Sequence, residues 1–189
     1  MKHILDTLLS ELHKTTKRPF LIAIDGNCGS GKTTLAGYLA KELNSSVFHM
    51  DDFFLQPHQR TEDRLLAPGG NVDYERFKEE VLDHIPDACG VTFRPFSCHE
   101  WKLADEATTV PYNEIVIVEG SYSHHPYFQN IYDVKIFLEI SKDEQKKRIT
   151  AREGDAIWPM FKNKWIPMEN NYFETFRIKE NSDYIAKFS

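Results

Sequence analysis

The sequence predicts an α/β fold in which helices cover both faces of a mainly parallel sheet. Three observations point there. Short apolar runs, "FLIAID" (20–25), "EIVIVEG" (114–120) and "DVKIFLEI" (133–140), read as buried parallel strands. Stretches of helical period alternate with them. A glycine-rich loop joins the first strand to the helix pattern that follows it.

Each element has its own reason. Ile4, Leu5, Leu8, Leu9 and Leu12 recur at helical spacing, so 3–13 reads as an amphipathic helix. "FLIAID" follows Pro19. Leu35, Leu39 and Leu43 form the stripe of the helix after the glycine loop. "SSVFHM" (45–50) is a second strand running into "DDFF". Residues 55–72, rich in Pro, Gly and charge, read as a loop or short helix. "YERFKEEVLDHI" (74–85) is a helix that stops before Pro86. "VTFRPF" (91–96) and "EATTV" (106–110) form a small hairpin. Ser141 and Glu144 make an S-x-x-E capping box for a helix running to Arg152 and ending near Gly154. The aromatic-rich stretch 155–189 has no clear period, and its Trp158 and Trp165 are expected in the core.

Length and composition set limits. The chain of 189 residues suits one domain, 1–189. A formal net charge of −6 argues against general nucleic-acid binding through a basic surface. No apolar run approaches the roughly 20 residues of a membrane span, and the N-terminus lacks a signal-peptide core. Three cysteines (Cys28, Cys89, Cys98) match no metal spacing and suit a reducing, cytoplasmic setting.

Gly26-Asn27-Cys28-Gly29-Ser30-Gly31-Lys32-Thr33, followed by Thr34, fits G-x-x-x-x-G-K-[ST] between a strand and a helix. Glycines let backbone N–H groups turn inward around phosphate oxygens, and the helix N-terminus adds partial positive charge. Lys32 is expected on the β- and γ-phosphates and the Thr33 hydroxyl on Mg²⁺. The ligand is therefore a nucleoside triphosphate, read as ATP. Cys28 lies inside this loop, and a solvent-facing thiol there would react with a bulky reagent and be protected by ATP.

"HMDDFF" places Asp51 and Asp52 at a strand's carboxyl end, the edge that lines the ligand crevice of open α/β sheets. A kinase needs a carboxylate there to orient the acceptor hydroxyl and take its proton. On an extended stretch successive side chains point to opposite faces, so one of the pair faces the acceptor. Asp52 is then a candidate near the metal. Glu119 ends the run "IVIV" at the same edge. Asp73 follows a "GG" turn and is either a ligand for the acceptor or the cap of the helix at Tyr74. Arg148 and Arg152 share a helical face, where they either close over phosphates or pair with acids such as Glu144.

Together, "GNCGSGKTTLA", "MDDFF", "GGNVDYERF" and "VIVEG" resemble the uridine kinase and phosphoribulokinase family of P-loop kinases, with the nicotinamide riboside kinases as relatives. The resemblance spans most of 20–153. It implies a three-layer P-loop NTPase fold with a five-stranded sheet of order 2-3-1-4-5 and a helical lid at about 148–165. It implies Asp51 as catalytic base, Asp73 on ribose hydroxyls, Glu119 near Mg²⁺, and Arg148 and Arg152 at the lid. Arg94 and His99 fall where the family recognises its base, although Ser97 stands where the family has an acid. "IWPMF" (157–161) is similar to the nicotinamide riboside kinases.

The implied function is an ATP- and Mg²⁺-dependent kinase of a nucleoside or similar ribosyl or sugar-like alcohol, acting on a small-molecule hydroxyl. Nucleic acid and membrane are not expected as partners, and a homo-oligomer is left open. A regulatory NTPase without an acceptor is the reading from another class. A guanine-specific switch would carry N-K-x-D after a late strand, but "SKDE" (141–144) has Glu144 in the Asp position, and a switch has no use for Asp51 and Asp73.

Overall fold

The computed structural model describes residues 1–85 and 89–188. In chain order its elements are α1 (Lys2–His13), β1 (Phe20–Gly26), α2 (Lys32–Leu43), β2 (Ser46–His49), α3 (Glu62–Leu66), α4 (Tyr74–Phe77), β3 (Val91–Phe93), β4 (Phe96–Ser97), β5 (Lys102–Leu103), β6 (Thr108–Val110), β7 (Ile115–Glu119), β8 (Val134–Glu139), α5 (Lys142–Glu153), α6 (Trp158–Met160), α7 (Ile166–Thr175) and β9 (Tyr184–Lys187). The main sheet has five parallel strands in the order β2-β7-β1-β8-β9. With the short strands β3 to β6 set aside, that order reads 2-3-1-4-5 along the chain.

The period of two along β1 explains the three layers. Leu21 and Ala23 face one apolar cluster, while Phe20, Ile22 and Ile24 face the other. The second cluster is closed by Leu8 of α1 and by Leu35 and Leu39 of α2, all fully buried. Leu9, expected on the α1 stripe, instead lies 39% exposed, because the packed face is only as wide as Ile4, Leu5, Leu8 and Leu12. The first cluster is closed by Phe53, Phe77, Phe128 and Tyr172. Truncating a packed residue such as Ile22 to Ala would cost about 2–5 kcal/mol.

Strands β3 and β6 pair antiparallel, Val91 opposite Val110, as the small hairpin predicts, and β4 with β5 forms a second two-stranded ribbon inside it. The 74–85 helix is split: α4 passes into a π-helical turn at Lys78–Leu82. The predicted stop at Pro86 lies outside the described residues. Ser141 caps α5, its hydroxyl accepting from the Glu144 N–H at 3.3 Å. The Glu144 carboxylate does not complete the box, because it pairs with Arg148 at 2.9 Å. Residues beyond Gly154 form α6, a π-helical turn (Phe161–Trp165), α7 and the edge strand β9. No helix among the described residues is long and apolar enough to cross a membrane.

Candidate active site

The loop from Gly26 to Gly31 is built on close backbone approach. Gly26 has φ 138°, and a Cβ there would lie 2.1 Å from the Leu138 carbonyl oxygen, so only glycine fits beside β8. Gly31, at φ 99°, is the left-handed N-cap from which α2 starts at Lys32. The Lys32 ammonium donates to the Gly26 carbonyl (2.7 Å), the Asn27 carbonyl (3.1 Å) and the Ser121 hydroxyl (3.2 Å). The Thr33 hydroxyl donates to Glu119 Oε1 at 3.1 Å, and His49 Nδ1 lies 2.5 Å from the same oxygen. That hydrogen bond raises the His49 pKa above its ordinary value.

A cleft of about 830 Å³ opens over this loop. Cys28, Gly29, Gly31, Lys32, Thr33 and Thr34 line it from the loop side, and Asp51 and Glu119 from the sheet edge. Gly26, Asn27 and Ser30 support the loop without lining the cleft, and the Ser30 hydroxyl is buried without a protein partner. Among the described residues no group of three or more His, Cys, Asp or Glu could hold a metal by itself. The hydroxyl and carboxylate of Thr33 and Glu119, side by side, are nonetheless the hard oxygen donors that suit Mg²⁺ completed by phosphate and water.

The two adjacent acids sit differently from the expected alternation. Residues Met50–Phe53 form a turn of 3-10 helix, not extended strand, so Asp51 and Asp52 diverge by the step of a helical turn. Asp51 borders the cleft and Asp52 does not. The Asp51 carboxylate is open to the cleft, yet the protein crowding around it raises its pKa, opposed chiefly by Lys32. Asp52 is also raised by desolvation, opposed by His49.

The structure places Asp73 as a cap. Its Oδ1 accepts the Arg76 backbone N–H (3.0 Å) and its Oδ2 accepts Gln59 Nε2 (2.7 Å), and it lies buried off the cleft wall. Arg94 is exposed and outside the cleft: it lies just past the end of β3, in the link to β4 between the buried Phe93 and Phe96. His99 does border the cleft, together with Arg60, Asn71, Phe96 and Trp101. Of these, His99 carried a signal in the sequence, and Arg60, Asn71 and Trp101 did not.

Arg148 and Arg152 of α5 both border the cleft. Arg148 donates to Glu144 (2.9 Å), to the Phe188 carbonyl (2.8 Å) and, at 3.5 Å, to the Ser30 carbonyl of the loop. Arg152 is exposed and pairs with Glu153 at 2.7 Å. Trp158 and Trp165 are half-buried and outside the apolar core, contrary to expectation. Trp165 borders the cleft and packs edge-on against Phe161 at 4.6 Å, while Trp158 does not line it.

Glu169 carried no signal in the sequence. It is 4% exposed on α7, and its Oε2 accepts the Cys28 backbone N–H at 2.9 Å. Burial raises its pKa, with Lys32 opposing. Beneath the loop, Asp25 is fully buried and accepts from the Gly26 and His124 amides and from the Tyr172 hydroxyl at 2.7, 3.0 and 2.8 Å. Burial raises its pKa too.

A glycine cradle opening a helix, with a lysine and a threonine at its rim, on a parallel sheet of this order, defines a P-loop nucleotide-binding protein. The chain belongs to the AAA domain family AAA_18, whose family model matches residues 22–158. It is similar to the uridine kinase of Ureaplasma parvum, 28% identical over 182 residues that cover 88% of this chain and 87% of that one. It is also similar to human nicotinamide riboside kinase 1, 27% identical over 157 residues covering 76% and 75%. In fold it resembles a possible uridine kinase from Bacillus stearothermophilus, with TM-score 0.73, 18% identity and 97% of each chain covered.

Proposed function

We propose that this chain is an ATP-dependent kinase that transfers the γ-phosphoryl group to a hydroxyl of a nucleoside or similar ribosyl or sugar-like alcohol. One observation carries the reading: a single cleft is lined by Lys32 and Thr33 of the phosphate loop and by Asp51 at the sheet edge. Residues 1–189 act as one kinase domain, with the segment at about 148–165 as lid.

The loop amides from Gly26 to Thr34 and the Lys32 ammonium hold the donor phosphates. Thr33 and Glu119 would hold Mg²⁺, which neutralises charge developing between the β- and γ-phosphates. Asp51 orients the acceptor hydroxyl and receives its proton, and its raised pKa suits that task. Arg148 and Arg152 steady the equatorial oxygens, and the lid excludes water that would otherwise take the phosphoryl group. Asp52 supports the metal side through His49, while His99 borders the acceptor. Asp73 serves the acceptor through the loop it caps. The nicotinamide riboside kinase likeness keeps that nucleoside among the acceptors to try. The three free cysteines agree with a cytoplasmic enzyme.

The test is ADP release by purified protein with ATP and Mg²⁺ across nucleosides, nicotinamide riboside, pantothenate and sugar phosphates. Lys32→Ala serves as the inactive control. ADP release that no acceptor raises above the hydrolysis background would instead favour the regulatory NTPase reading.

A further inference from the structure

Arg60 differs from the other cations of the cleft. Arg148 has Glu144 as a carboxylate partner and Arg152 has Glu153, while Lys32, the donor-phosphate cation, contacts the Gly26 and Asn27 carbonyls and the Ser121 hydroxyl. Among the described residues Arg60 has no carboxylate partner. Its guanidinium reaches only the Asn71 side-chain oxygen, at 3.4 Å, and lies 5.1 Å from the centre of the Trp101 ring. Half-buried, it carries a desolvation cost that lowers its pKa without an ion pair to offset it.

The wall around it is built. Trp101 adopts φ 56°, a left-handed conformation that is costly for an aromatic residue, and its backbone N–H is held by the Ser97 carbonyl at 2.8 Å. That turn, between β4 and β5, leaves the ring 54% exposed, with Phe96 edge-on behind it at 6.3 Å. Asn71, 8% exposed, borders the same pocket. Cys98 borders the same cleft as Arg60 and Asp51.

A neutral acceptor would need hydrogen-bond donors and acceptors here, not an uncompensated charge. An anionic acceptor approaching Asp51 and Glu119 would need a dedicated cation, and a guanidinium pre-set on a ring meets two oxygens of a carboxylate or phosphate ester at once. We propose that Arg60, with Asn71 and Trp101, forms an acceptor subsite for an anionic group, so that the preferred acceptor is a sugar-like alcohol bearing a carboxylate or phosphate ester. This rests on the kinase reading. The reaction balances as usual: the acceptor oxygen bonds to the γ-phosphorus, the bond to the β–γ bridging oxygen breaks, ADP leaves, and the hydroxyl proton goes to Asp51.

The experiment uses matched pairs: glycerol and glycerate, ribose and ribose 5-phosphate, fructose and fructose 6-phosphate. Phosphorylated product is measured by mass spectrometry and binding by calorimetry. In each productive pair the acidic member should be preferred at least about 10-fold in kcat/KM, and the two kinds of acid separate carboxylate from phosphate recognition. Arg60→Gln should raise KM for the acidic member about 10–100-fold, the usual worth of a lost charge-assisted contact. It should leave kcat and ATP affinity within about 3-fold, and Arg60→Lys should recover part of the loss. A preference for neutral members, equal losses on both members, or weakened ATP binding in Arg60→Gln would overturn the subsite. If no pair turns over, the kinase reading fails on these acceptors, and calorimetry still decides the subsite. Acidic members that bind wild type but not Arg60→Gln uphold it, and no binding by any acidic member sinks it.

Discussion

Glu169 accepts the backbone N–H of Cys28 at 2.9 Å, so a carboxylate from α7 lies directly on the phosphate loop. Its other oxygen accepts the Ser121 hydroxyl at 2.5 Å, and the same hydroxyl receives the Lys32 ammonium at 3.2 Å. The last helix, the end of β7 and the loop are thereby joined through one buried acid.

The contact predicts opposite effects for two substitutions. Glu169→Ala strands the Cys28 amide and the Ser121 hydroxyl, so it should lower unfolding stability by about 1–3 kcal/mol, read as a shift in denaturant midpoint. Glu169→Gln keeps an acceptor but removes a charge that repels incoming phosphates, so ATP affinity should rise several-fold by titration. Weaker ATP binding in Glu169→Gln would show that the charge assists the loop instead.

How much of this was legible follows the range of each interaction. β1, β7 and β8 announced themselves because each carries a run of buried apolar residues. The loop was legible because its chemistry is local: eight consecutive residues fix its turn, its helix start and its cation. β9 was not, since "YIAK" buries no residue fully and sits at the sheet edge. Glu169 and Arg60 were illegible for another reason. Their meaning comes from Cys28 and from Trp101, partners that only the fold brings near. Arg94 misled because the family pattern points at its position, while the short link between β3 and β4 leaves it exposed outside the cleft.

Cys28, the cysteine inside the phosphate loop, should react last of the three. Burial, and then the Glu169 carboxylate, push the Cys28 thiol far above its ordinary pKa, and the Gln145 amide donates to its sulfur at 3.3 Å. Cys89 and Cys98 are exposed, and Cys98 is raised by desolvation. Mass mapping after brief iodoacetamide treatment at pH 8 should find Cys89 labelled first, Cys98 next and Cys28 last, by about 10-fold or more. Early modification of Cys28 would contradict the packing of α7 on the loop.

Two neighbouring histidines give a pH prediction. Burial lowers His124 to about 3 and His125 to about 4, from 6.5. Both fold neutral, whereas the unfolded chain protonates them below about 6.5, so they contribute stability at higher pH that is lost as pH falls from 6.5 toward 4. Each supplies a slope of up to about 1.4 kcal/mol per pH unit. The raised carboxyls of Asp25 and Glu169 act in the opposite sense there, so the informative quantity is a difference. His125→Asn should flatten the fall in unfolding free energy between pH 6.5 and 4, although losing the stack on Tyr74 at 4.2 Å lowers stability at pH 7. Parallel pH profiles for variant and wild type would show that His125 is protonated in the folded protein.

The assignment of the base rests on Asp51 against Asp52. Both follow β2 and both have raised pKa values, so neither composition nor electrostatics ranks them. The turn of 3-10 helix does, because it sends Asp51 to the cleft wall and Asp52 away from it. The Asp52 carbonyl is also tied to Arg76 at 2.8 Å, which fixes that residue to α4 and away from the acceptor. Asn has nearly the shape of Asp but is a far poorer base. Asp51→Asn should therefore reduce kcat by about 10²–10⁴, the usual worth of a positioned base, while ATP affinity stays within a few-fold. Asp52→Asn keeps its backbone contact and should cost less than about 10-fold. The check is kcat for both variants with the best acceptor, alongside ATP titration of each. An Asp51→Asn enzyme close to wild type beside an inactive Asp52→Asn would move the base to Asp52 and require the turn at Met50–Phe53 to rotate during the reaction.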